Sequence, residues 1–314
     1  MLWNREKLLE ARAGLEQILD EFSGDDKERE KLTTLLAQVN DLYEKVSGEH
    51  RVSEASLFYD LSLIKEDVYG EEMSLADGWI TVLDESRGVV LGVEEESKKG
   101  KLLAGGEILT GSKLLASSGG KAVVLSNSGL VGVYYNDRTA ELLIETDESW
   151  KKPNGLGMFG GNVYVMDSET SEIWRYPGYE GGIGSGTRWL GPGVVPDFSN
   201  ITSVAVDGDM WISYGDDVMR FRRGAVLNYY IDGLLDPFSK IEAIYTQIES
   251  EYVYVLDRDN ERVVVLNKEG EYVKQYIWEG IKAVSDMVVV EKDEGRGIIL
   301  LLSGASIYEI PLEE

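Results

Sequence analysis

The chain of 314 residues has no cysteine and a single histidine, His50. The first absence excludes disulfides, thiolate metal sites and cysteine nucleophiles, and the second removes nearly every mechanism that needs an imidazole. Basic residues are also scarce: 31 Lys and Arg stand against 57 Asp and Glu, a formal charge of -26. Such a surface repels phosphates and anionic lipid, so nucleic acid is not expected as a partner, whereas basic partners are favoured. No stretch approaches the ~18 apolar residues of a spanning helix. The start MLWNREKLLEARAG carries charges too closely spaced for a signal peptide or an anchor. Direct membrane insertion is therefore not expected. The compartment stays open, because the lack of cysteine suits a reducing cytoplasm and equally a cell surface without disulfide machinery, the latter if the chain is excised from a membrane-anchored parent.

Two textures follow one another along the chain. Up to residue 47, apolar residues recur at steps of three and four: Leu8, Ala11, Leu15, Ile18 and Phe22, then Leu32, Leu35, Val39, Leu42 and Val46. Each set forms one stripe of a helix, and the break at Ser23-Gly24-Asp25-Asp26 turns the pair into an antiparallel hairpin, with Asp25 or Asp26 capping the second helix. This assigns residues 1–52 to a helical hairpin and residues 53–314 to a β domain. In the second region, short runs of β-branched and aromatic residues alternate with polar turns.

The β region repeats itself. WITVLDESRGVVLGV, KAVVLSNSGLVGVYY, NVYVMDSETSEIWRY, DMWISYGDDVMRFRR, EYVYVLDRDNERVVVL and GIILLLSGASIYEI each read as strand, tight polar turn, strand. The residues closing the first strand are Asp84, Ser126, Asp167, Tyr214, Asp257 and Ser303, spaced by 42, 41, 47, 43 and 46 positions. That period is one four-stranded propeller blade, so the fold expected is an all-β, six-bladed β-propeller preceded by an α-helical hairpin. A lone sheet exposes two apolar faces, which only neighbouring blades can bury. The last repeat supplies three strands before the chain ends, whereas SLFYDLSLI at 56–64 is a strand without a blade. It is expected to join the last blade as its outer strand and close the ring. The recurring Asp or Ser reads as a turn acceptor for backbone N–H groups rather than as a ligand-binding group.

YVYVLDRDNERVVVLNKEGEYVKQY, residues 252–276, resembles the NHL repeat, with Asp257, Asn260, Arg262 and Gly270 in that pattern's places. The resemblance is partial in NVYVMDSETSEIWRYPG, and DMWISYGDDVMRF lacks both the Asp and the Arg. The layout of hairpin, LFYDLSLIKEDVYGEEMSL and acidic blades ending in SIYEIPL also resembles the C-terminal region of bacterial PPM-type phosphatase-like proteins. That resemblance implies a sensor-like propeller, and it carries no catalytic residue onto this chain.

Six-bladed propellers also include calcium-dependent lactonases and esterases, whose sites need carboxylates and amides converging on the channel. Among so many carboxylates spacing cannot show convergence, and the DRDNER turn is too short for a calcium loop. No metal site and no cofactor are therefore assigned. MRFRRG, the one dense basic run, is expected to pair with nearby carboxylates. Trp79, Trp174 and Trp211 lie inside strand repeats and are expected in the core, with Trp150 and Trp278 nearer the surface. GYEGGIGSGTRWLGPG, residues 178–193, departs most from the repeat. It lacks the lysine and the following helix of a phosphate loop. Its Tyr179, Arg188 and Trp189 are the residue types favoured at interfaces, and they are the candidate ligand-binding residues. The function expected is a non-catalytic recognition or sensor module that binds a protein, peptide or glycan through a propeller rim. The competing expectation is a calcium-dependent propeller hydrolase or lactonase.

Overall fold

Strands with apolar residues on both faces pair into sheets whose faces must be covered, and the ring of six sheets answers that need. The structure, a computed structural model, describes residues 2–136, 139–179, 182–292 and 297–313, without the side chains of residues 2–4 and 6. Blade 1 runs from Glu72 to Gly105, blade 2 from Leu114 to Glu145, blade 3 from Pro153 to Arg188, blade 4 from Ile201 to Leu227 and blade 5 from Ile241 to Ile277. Blade 6 unites Asp286–Glu291, Gly297–Ser303 and Ser306–Pro311 with the early strand Ser56–Asp60, which pairs antiparallel to Ser306–Pro311. The ring is thus closed by the N-terminal strand, as the unpaired SLFYDLSLI segment suggests.

Interleaved apolar side chains fill the spaces between blades, with Trp211, Tyr176, Tyr276, Phe198 and Phe221 fully buried. Trp150 differs from the expectation: it is buried edge-on against Tyr176, with ring centroids 5.8 Å apart. Near the axis, sheets approach closely enough to exclude side chains. A Cβ at Gly157 would come within 2.8 Å of Val206 on the next blade.

The recurring Asp has a structural role. Asp84, Asp167 and Asp257 are fully buried. Asp167 accepts from the Glu169 and Thr170 N–H groups of its own turn, at 3.1 and 2.9 Å, and from the Lys151 and Lys152 N–H groups that lead into the blade, at 2.6 and 2.7 Å. Asp84 does the same with Arg87 and Tyr69, and Asp257 reaches Ser239. Burial alone would raise the Asp84 and Asp167 carboxyls, but these hydrogen bonds outweigh it and hold both below the usual range. In these three blades one carboxylate therefore fastens the blade's entry to the turn that follows its second strand.

The helices are α1, Leu2–Glu21, and α2, Asp26–Ser47. Asp25 caps α2, accepting from Glu28 N–H at 2.9 Å. The seam keeps Leu8, Leu15, Phe22, Leu32, Val39 and Val46 of the expected stripe half-buried and adds Leu19, Leu36 and Tyr43, while Ala11, Ile18, Leu35 and Leu42 are exposed. At Gly48, φ is 65° and a Cβ would meet Val273 O at 2.8 Å, so glycine ends α2 against blade 5. Glu49–Arg51, placed with the hairpin by the sequence reading, instead forms a fifth, parallel strand beside Tyr272–Ile277. Arg5, at the start of α1, fixes the same open end of the hairpin, donating to Gly233 O at 3.0 Å and covering the Tyr272 ring at 4.5 Å. Among the described residues no helix is long and apolar enough to cross a membrane.

Candidate functional site at the channel mouth

The six inner strands, Glu72–Ala76, Leu114–Ser117, Pro153–Phe159, Ile201–Val206, Ile241–Tyr245 and Asp286–Glu291, line a central channel of about 420 Å³. They all run in the same direction, so their first residues gather at one mouth. Glu72 of blade 1 and Asp286 of blade 6 meet there across the closure. Asp286 Oδ2 accepts from Met73 N–H at 2.6 Å, and its Oδ1 accepts from Met287 N–H at 2.8 Å. Glu242 follows on blade 5, and Glu71 and Glu85 lie behind Glu72, where Glu71 Oε2 accepts from Glu85 N–H at 2.9 Å. The facing arc carries an exposed Lys113, whose Nζ donates to Pro153 O at 2.9 Å, and otherwise neutral groups. Asn154 donates to Phe198 O at 2.7 Å, while its buried Oδ1 accepts nothing, and Thr202 shares a 2.9 Å hydrogen bond with Ser213.

This one-sided arrangement shapes the ionisation. Loss of solvation, then Asp286 and Glu85, push the Glu72 carboxyl well above its ordinary value. Burial pushes Asp286 up to about 7, with Glu242 adding to the rise against two backbone N–H groups. Glu85 also rises to about 7, through burial and then Glu71. Both Glu72 and Asp286 are half-buried, open to the channel on one side. Lys240 and Arg258 neutralise Glu242 at 3.1 and 3.0 Å, but no ion pair reaches Glu72 or Asp286 among the described residues. Chemically, the pair can share a proton, transfer one, or receive a positive group.

A raised carboxyl binds its proton more tightly in the folded state, so its cost is absent at low pH and grows as pH climbs from about 4.5 through 7. Glu72→Gln keeps an acceptor for Leu115 N–H and removes the mutual repulsion. With one like-charge pair removed, the protein should gain about 1 kcal/mol at pH 8 and nothing at pH 4.5, as read from urea unfolding at the two values. Equal effects at both would show that the two carboxyls do not repel.

The residues expected to bind ligand lie elsewhere. Tyr179 sits on a small hairpin, Gly178–Tyr179 with Gly182–Ile183, whose residues 180 and 181 fall outside the described residues. That hairpin follows the third strand of blade 3, on the face where inner strands end, opposite the carboxylate mouth. Its ring is 64% exposed. Arg188 pairs with Glu172 at 3.4 Å and lies over Trp174 at 5.8 Å. The Trp189 ring packs edge-on against Tyr164, 5.7 Å away, and the Trp189 backbone N–H donates to Ile173 O. The three side chains are not brought together. Arg220 and Arg222 pair with Asp209 at 2.7 and 2.6 Å, which accounts for the basic run. Glu72 and Asp286 carry no local signal, since 214 positions separate them in the sequence and only ring closure joins them.

The fold and its central channel define a six-bladed β-propeller. No family model and no curated relative matches the chain. Among solved structures it is similar to regucalcin, a calcium-binding protein from Agrobacterium tumefaciens, with a TM-score of 0.58 and 13% identity over 85% of this chain and 96% of that one. It is also similar to a gluconolactonase from Xanthomonas campestris, with a TM-score of 0.57 and 12% identity over 83% and 95% of the two chains. A chain of a nidogen/laminin complex matches with a TM-score of 0.50 and 11% identity over 67% and 81%. At these identities the likeness concerns the fold.

Proposed function

We propose that the chain is a non-catalytic recognition module whose channel mouth receives a basic group of a protein or peptide partner. The observation that carries this reading is the Glu72–Asp286 pair, two carboxyls held high at an open mouth without a cation of their own. A lysine or arginine side chain entering the mouth would let both ionise, converting their repulsion into attraction. The rigid strands beneath hold the pair in place, and the net charge of -26 draws basic partners toward it. The resemblance to the C-terminal region of PPM-type phosphatase-like proteins supports placing the module as the sensing part of a larger signalling assembly.

A second reading is a cation-assisted hydrolase or lactonase. The unpartnered Asn154 Oδ1 across the mouth from the carboxylates favours it, as does the likeness to a gluconolactonase. Against it, no group of three or more His, Asp or Glu close enough to hold a metal occurs among the described residues.

Titration with a lysine- and arginine-rich peptide by calorimetry, in parallel with lactone hydrolysis in added calcium, separates the two. Recognition at this mouth predicts binding that tightens from pH 6 to pH 8, weakens with salt, and falls roughly tenfold in Glu72→Gln. Peptide binding unchanged in that variant would refute the site. Calcium-dependent turnover abolished by the same substitution would replace the recognition reading with the second one.

A further inference from the structure

The hairpin has a face that the propeller does not use. Among its described side chains only Arg5, Tyr43 and Ser47 are buried, on the side that meets blade 5. On the other side Ala11 and Ile18 of α1 and Leu35 and Leu42 of α2 are exposed, the last three at 51%, 46% and 50%. Each pair is seven residues apart, so each helix carries a short apolar stripe beside the seam rather than in it. Turning about α1 from the seam toward Arg5 corresponds to turning about α2 toward Tyr43 and Ser47. The opposite turn reaches Ala11 and Ile18 on one helix and Leu35 and Leu42 on the other, so the four share one face. Arg12 lies over the Tyr43 ring, which sets Ala11 level with Leu42 and Ile18 level with Leu35.

Gly14 stands between Ala11 and Ile18 on that face. Glycine inside a helix is less favourable than alanine, and a Cβ here would meet nothing within 4 Å, so packing within the chain gives no reason for it. The missing methyl leaves a flat strip that another helix can approach closely. The charges beside the strip differ in sign between the helices. Glu10 and Glu21 border it on α1, Lys31 and Lys45 on α2, and all four are exposed. Glu10 lies level with Lys45, and Glu21 with Lys31. Lys7 pairs with Glu10 at 2.6 Å within α1, but an exposed pair of this kind binds weakly and leaves the carboxylate open to a second cation.

We propose that this face docks a second copy of the chain, the two hairpins forming an antiparallel four-helix bundle. A two-fold axis along the hairpin lays α1 of one protomer on α2 of the other, twice over. Ile18 of each protomer then meets Leu35 of the other, Ala11 meets Leu42, and Gly14 lets the helices close together. The same rotation sets Glu10 against Lys45 and Glu21 against Lys31 across the interface. The acidic border of α1 matches the basic border of α2, so a second copy supplies both halves of the pattern at the right spacing. The propellers are joined to the opposite faces of the two hairpins and stay on the outer sides of the bundle, which keeps their like charges apart.

The test is sedimentation equilibrium of the full chain from low to high micromolar concentration, where the mass should rise toward twice that of one chain. Ile18→Asp and Leu35→Asp lie outside the seam and should each weaken the dimer more than roughly tenfold, with helical and β-sheet circular dichroism unchanged. Glu10→Lys with Glu21→Lys should weaken it by about tenfold, and adding Lys31→Glu with Lys45→Glu should restore it, because the reversed borders match again. The chain has no cysteine, so single cysteines report the docking directly. An equimolar mixture of the Ile18→Cys and Leu35→Cys proteins should oxidise to a mixed disulfide faster than either protein links to itself. Glu72→Gln should leave the dimer unchanged, which separates this surface from the channel mouth. A chain that stays monomeric throughout, a dimer that both Asp variants retain, or a charge reversal that the four substitutions do not restore overturns the proposal. Faster self-linking of either cysteine protein overturns it too, since like helices would then face each other.

Discussion

Replacing residues 56–64 with a Gly/Ser linker of equal length should lower the melting midpoint by more than 15 °C or leave the protein unfolded at room temperature. Ser56–Asp60 contributes the outer strand of blade 6, pairing from Ser56↔Glu309 to Asp60↔Ser306. Its Phe58 is buried, and Leu61, just beyond it, is fully buried among Val68, Ile80, Val82, Leu300 and Leu302. Losing one buried Phe and one buried Leu costs about 6–10 kcal/mol, a sum comparable to the whole stability of an ordinary domain. The linker also leaves the Ser306–Pro311 edge unpaired, and blades 1 and 6 lose the strand that spans their junction. Differential scanning calorimetry with circular dichroism checks this. A linker variant melting within a few degrees of the parent would mean that blade 6 needs only three strands and that closure resides in face packing alone.

The closing strand was legible because it had nowhere else to go: an apolar alternating segment upstream of the first full blade pairs only with a blade short of one strand. The blades were legible for a related reason. Asp84, Asp167 and Asp257 do the same task at the same level of each sheet, so the spacing of the residue reports the spacing of the sheet. Glu49–Arg51 was not legible, since three residues, Glu-His-Arg, show no alternation, and their pairing depends on where Gly48 aims the chain. The hairpin seam was legible only in part, because the sequence supplies more apolar positions than one two-helix seam consumes. Leu35 and Ile18 satisfy the period and remain exposed all the same. Tyr179, Arg188 and Trp189 were chosen by residue type in an irregular loop, which says nothing about direction. The indole of Trp189 is taken up by Tyr164 in packing between elements. The channel mouth is hidden for the opposite reason: its residues are ordinary acids in an acidic chain, made unusual by their neighbours in the ring.

Arg262→Ala is expected to lower stability by about 3–5 kcal/mol, a fall of roughly 10 °C in melting midpoint. Arg262 is 4% exposed and Asp257 fully buried, and Arg262 Nε donates to Asp257 Oδ2 at 2.9 Å. The same guanidinium donates to Asp236 O at 2.7 Å, to Pro237 O at 3.0 Å and to Gln275 Oε1 at 3.1 Å. Truncation therefore leaves a buried carboxylate without its cation and the Asp236 O and Gln275 Oε1 acceptors without this donor, a larger penalty than the net worth of the ion pair itself. The effect should also travel outward, because Gln275 bridges Arg262 to Glu49 on the fifth strand and so ties the hairpin to blade 5. Hydrogen exchange should show faster opening of Glu49–Arg51 in the variant. The double variant Asp257→Leu with Arg262→Met, which removes both charges and restores apolar volume, should recover part of the loss, whereas Arg262→Lys should recover less because an ammonium cannot span four acceptors in one plane. An Arg262→Ala protein that melts within about 2 °C of the parent, with unchanged exchange at Glu49–Arg51, would show that the pair neither stabilises blade 5 nor connects it to the hairpin.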